Sequence, residues 1–174
     1  MPISETPVKH TVTALEPLGG YPGDFSAHTF ENIVVFTWHG VTTLESMPTF
    51  EALTTQFRQR FERGFSVVHL ITSGHPRMPD AATRDELVRI QKRHEDVAAC
   101  CAVVIPVQGF VGSALRGLVT AIVLRTQRTH VELKIVGTVE AAAEWLTPLH
   151  NAKLGLQVDA SQLLAALRQA ATPH

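Results

Sequence analysis

The chain has 174 residues, of which 45% are hydrophobic and 18% charged. That length suits one core, and that balance excludes a disordered chain, which would be poorer in Val, Leu and Ile and more strongly charged. Fifteen basic against sixteen acidic side chains leave a formal net charge of −1, so no long-range field gathers nucleic acid or an anionic membrane surface.

Residues 1–23 are rich in Pro, Gly and Thr, and residues 17–23 are turn chemistry throughout. They predict a flexible N-terminal arm ahead of one α/β domain over residues 24–172. The start of the chain lacks the basic segment and continuous apolar stretch of a signal peptide. A short edge strand is expected around Phe25–Phe30, followed by a clear strand of β-branched and aromatic residues over Ile33–Trp38 that ends at Gly40.

Pro48 suits the first turn of a helix, where its missing amide hydrogen would have no partner anyway. Phe50, Leu53, Phe57 and Phe61 then share one face, and Gly64 is expected as the left-handed stop. Residues 65–72 read as the next strand. The loop after it holds two prolines, which exclude regular pairing.

Asp80 is placed to cap a helix whose inner side carries Leu87, Ile90, His94 and Val97, with His94 expected to find a backbone partner. Residues 100–107 form a continuous apolar strand of the kind buried on both faces. Its adjacent Cys100 and Cys101 point to opposite faces and are poorly placed to bridge, which predicts two buried free thiols and a reducing, cytoplasmic setting.

Gly109 opens an apolar helix to residue 124, which contains Arg116 and falls short of the roughly 20 residues needed to span a bilayer. Residues 131–136 supply another strand. Thr138 caps a helix bearing Ala142, Trp145, Leu146 and Leu149, and Asp159 begins a last one with Leu163, Leu164 and Leu167 on one face. Alternating strands and helices predict a single domain with a mostly parallel central sheet of four to five strands flanked by helices.

With these elements in place, the chain resembles the SpoIIAA-like proteins, relatives of the STAS domain that are also grouped with the lipid-binding SEC14 fold. The resemblance covers about residues 25–150. It rests on the opening strand Ile33–Trp38 with Gly40, on Val97-Ala98-Ala99-Cys100-Cys101-Ala102-Val103-Val104, on the apolar helix that follows, and on Val131-Glu132-Leu133-Lys134-Ile135-Val136 with Glu140-Ala141-Ala142-Ala143-Glu144-Trp145-Leu146. It implies a non-enzymatic regulatory or adaptor module that binds a partner protein, or else a carrier or sensor of a small apolar molecule. STAS-type anti-sigma antagonists carry an Asp-Ser pair at a helix start. Ser73-Gly74-His75-Pro76 stands in that place here, without the pair, and so departs from the phospho-switch.

Ligands of open α/β sheets tend to sit beyond the carboxyl ends of parallel strands. There the sequence gathers His39, Ser73, His75 and Gly109, with Ser113 on the helix that follows, as the expected ligand- or partner-binding residues. Ser113 lacks the second glycine of a nucleophile elbow, and Gly109 and Gly112 lack the Lys-Ser or Lys-Thr of a phosphate loop. His69 and His75 show no metal-ligand spacing. No catalytic residue, metal or cofactor is therefore expected, and an enzyme rests only on the His and Ser cluster at the strand ends. The wide apolar surface of the helix over residues 110–124, with Phe110, Val111, Ile122 and Val123, suits either a homodimer contact or a clamped core position.

Overall fold

A computed structural model describes residues 14–72, 79–106, 109–125 and 131–172. Its one sheet has six strands in sequential order: β1 (Glu16–Tyr21), β2 (Phe25–Phe30), β3 (Ile33–Trp38), β4 (Phe65–Ile71), β5 (Ala98–Val104) and β6 (Glu132–Val136). β1, β2 and β3 pair antiparallel, whereas β3 to β6 pair parallel. The sheet is thus mixed and larger than the mostly parallel four to five strands expected. β2 lies inside it and not at an edge.

The difference begins in the glycines of the stretch assigned to a flexible arm. Gly20 lies so close to β2 that a Cβ there would stand 2.4 Å from the Phe25 carbonyl oxygen, and Gly19, at φ +149°, sits where the register with β2 shifts. These glycines serve a bulge and a close strand approach, which in sequence look the same as turns.

Helices α1 (Met47–Arg60), α2 (Ala81–His94) and α3 (Gly109–Arg125) cross between the parallel strands, and α4 (Val139–Leu154) and α5 (Ala160–Ala171) follow β6. Sequential strand order combined with right-handed crossovers places all three crossover helices on one face. Strand alternation separates the cores accordingly. Val34, Phe36, Trp38 and Phe65 pack with α1 and α2, whereas Ile33, Val35, Val68 and Leu70 pack with α4 and α5. β5 is buried on both faces, with Cys100 toward α4, Cys101 on the opposite side, and both thiols free.

The expected caps form. Asp80 accepts from the Thr83 amide at 2.8 Å, Thr138 from Ala141 at 3.1 Å, and Asp159 from Ser161 and Gln162 at 2.9 and 3.0 Å. α1 stops at Arg60, ahead of Gly64. Gly64 instead turns the chain into β4 at φ +116°, where a Cβ would meet Leu154 at 2.8 Å. Among the described residues, no helix is long and apolar enough to cross a membrane.

Candidate functional site

The face under α2 and α3 is incompletely filled. Half-buried Val67, His69 and Ile71 of β4, with Cys101 and Val103 of β5 and Leu133 of β6, form a floor of alternate strand residues. One cleft, of about 90 Å³, runs beneath Phe50, Thr54, Ile90 and His94. A second, of about 120 Å³, runs beneath Leu87, Leu115, Leu118 and Val119 and reaches Gly40. Both open on one side, and they share His69, Gln91 and Leu133.

His69 is fixed in this wall by two contacts. Its ring stacks on Phe36 at 5.6 Å between centroids, and its Nδ1 accepts from Trp38 Nε1 at 3.1 Å. A neutral imidazole that accepts at Nδ1 carries its proton on Nε2, so the remaining polar atom is a donor. Burial pushes the pKa down to about 4. That depression belongs to a dry cleft, because water at the exposed ring edge restores part of the lost hydration.

His94 is 6% exposed at the last turn of α2 and lines the first cleft. Among the described residues, neither of its ring nitrogens has a hydrogen-bond partner, so the backbone partner expected for it is not found there. Burial lowers its pKa first, Arg58 and Arg93 act in the same direction, and Glu51 and Asp96 oppose them. Arg58 is itself held by the Arg93 carbonyl at 2.8 Å and the Asp96 carboxylate at 2.7 Å. Burial also pushes the Cys101 thiol up to about 12, which keeps it protonated and poorly suited to act as nucleophile or metal ligand at neutral pH.

A second polar cluster lies on the opposite face of the sheet. Asn32 Nδ2 donates to the Gly64 carbonyl at 3.2 Å, leaving Oδ1 to accept from His150 Nε2 at 3.2 Å. His150 Nδ1 then accepts from the Ser66 hydroxyl at 2.8 Å, and Ser66 Oγ accepts from the Cys100 thiol at 3.0 Å. Serine, histidine and asparagine in series suggest hydrolase chemistry, yet Ser66, Cys100 and His150 are fully buried. One tautomer satisfies the whole chain, and it ties α4 to the sheet.

The sequence-predicted residues fall mostly elsewhere. His39 is exposed at the end of β3, where its ring bonds Ser26 at 3.0 Å and Thr72 at 3.2 Å and so joins strand ends. Gly109, at φ +76°, and Ser113 are exposed on α3 and line neither cleft. Ser73 and His75 lie outside the described residues, as do the side chains of Phe110, Val111, Ile122 and Val123. The first cleft lies on the sheet face, whereas the second reaches the carboxyl ends of the parallel strands, where Trp38 and Ile71 close β3 and β4 and Gly40, Thr42 and Pro79 lie beyond them. Sequence reasoning missed Gln91 as a site residue; the signal was a polar pair, Gln91 and His94, spaced to share the apolar stripe of Leu87 and Ile90. Among the described residues, no three His, Cys, Asp or Glu side chains are grouped to hold a metal.

No family model matches the chain, and no curated protein matches it. Among solved structures it is similar to an uncharacterized protein from the DUF3478 family with a SpoIIAA-like fold, from Shewanella loihica PV-4. The two are 14% identical over 76% of this chain and 95% of that one, with a TM-score of 0.53. The chain therefore has a SpoIIAA-like fold, and a likeness at that identity speaks for fold alone.

Proposed function

We propose that this SpoIIAA-like chain is a non-catalytic binding module that holds a small apolar molecule between its sheet and helices α2 and α3. The observation that carries this reading is the pair of neighbouring clefts that share His69, Gln91 and Leu133 in their linings. Each is smaller than the roughly 150 Å³ of an apolar cavity that takes benzene, so the occupant is small or extends across both. Apolar walls with a few inset polar groups are the usual make-up of small-molecule sites. A protonated Cys101 and a fully buried Ser66 cluster support binding over chemistry. Two unbridged thiols suit a reducing compartment such as the cytoplasm.

A protein partner, the other role implied by the resemblance, has weaker footing. Among the described residues, Leu44, at 48%, is the one large hydrophobic side chain that is exposed.

Protein purified from its native cells should carry a small organic molecule in native mass spectrometry. Val67→Phe fills the first cleft from its floor and should release that molecule while circular dichroism stays unchanged. A bare mass for the wild-type chain would overturn the reading.

A further inference from the structure

We propose that the molecule held in the clefts carries one uncharged oxygen head group, an alcohol or a carbonyl, and that His94 recognises it. This rests on the apolar-cleft reading above and adds the chemistry of the head.

A buried imidazole with neither nitrogen bonded is rare, since a polar group withdrawn from water is stabilised only by a partner. His94 is such a group, and it faces an open cleft. A ligand can supply what the fold withholds. His69, in the same lining, has its Nδ1 occupied by Trp38 and offers only its Nε2 proton. A neutral His94 offers both a donor and an acceptor, which match an oxygen that accepts and, in an alcohol, also donates.

Charge narrows the class further. Among the described residues, no Lys or Arg lines either cleft, and Glu95 is the one formally charged lining residue. A carboxylate or phosphate head would lose its hydration with Glu95 nearby, while Arg58 and Arg93, the cations that act on His94, are already paired with Asp96 and Glu51. An ammonium head carries three protons, of which His94 could accept one, and half-exposed Glu95 is the one counter-ion among the described lining residues. An uncharged head meets neither obstacle.

Calorimetric titration of the full chain with 1-octanol, octanoate, octylamine and toluene tests this. Octanol should bind more tightly than either charged analogue. H94L should weaken octanol about tenfold, the worth of one good hydrogen bond, and leave toluene, which has no head, within about twofold. H94Q, which keeps a donor and an acceptor, should recover part of the octanol affinity and serves as the reporter if H94L does not fold. Octanoate or octylamine binding as tightly as octanol would overturn the proposal, as would octanol affinity that ignores both His94 variants. Failure of toluene and octanol alike to bind the wild-type chain would bring down the apolar-cleft reading itself.

Discussion

Two buried histidines face opposite situations. His150 has both nitrogens satisfied within the chain from Asn32 to Cys100, whereas among the described residues His94 has neither. Removing a partner from a buried polar group costs about 1–3 kcal/mol, while replacing an unpartnered group by an apolar one of similar size is close to neutral. Ser66→Ala, which leaves His150 Nδ1 and the Cys100 thiol without their bonds, should therefore lower the ligand-free chain's stability by about 1–3 kcal/mol. His94→Leu should leave it unchanged or raise it. Urea unfolding at constant m-value separates the two, and equal losses would mean that His94 has a partner in the native state. Neither situation was legible in the sequence, because both depend on which strand ends meet α2 and α4. Ser66 and His150 are 84 residues apart.

At the level of elements, the roof of the clefts depends on how firmly α2 is anchored. Asp80 satisfies the Thr83 amide, and that bond holds its carboxyl below the usual carboxylate range. Asp80→Ala should speed hydrogen exchange severalfold at the first-turn amides of α2 without changing exchange in α4, capped by its own Thr138. Matching acceleration in both helices would point to global loosening and not a lost cap. The caps at Asp80, Thr138 and Asp159 could be read from sequence because each is a local device, a short polar side chain just ahead of an apolar stripe. β1 could not. Its glycines at 19 and 20 take their meaning from β2 across the sheet, and local pattern does not show that Gly20 lies against the Phe25 carbonyl. α1 likewise ends at Arg60 through a backbone bond from Phe61 to Phe57, so the signal at Gly64 marks the turn that follows.

For the whole molecule, sequential strands and right-handed crossovers commit α1, α2 and α3 to one face, so α2 and α3 must share β4 to β6 as their floor. The clefts lie where that covering is incomplete, a spacing no stretch of sequence encodes, and the histidines on the two faces are kept neutral by burial. His150, fully buried, is depressed to about 4 from an ordinary value near 6.5. Between those values the unfolded chain binds a proton that the native chain refuses, so stability falls as pH falls through this window and is flat with respect to His150 above it. A shift of this size corresponds to about 3 kcal/mol between neutral pH and about pH 4. His69 and His94 are shifted in the same direction and add to the slope. A cleft occupant that excludes water from the His69 ring edge strengthens that contribution, so the liganded chain should lose stability more steeply on acidification than the empty one. Urea midpoints at about pH 7 and about pH 5, with and without 1-octanol, measure both effects, and imidazole resonances followed by NMR assign them. A midpoint that does not move with pH, or a His150 resonance titrating near its ordinary value, would show that the native chain opens this core to water.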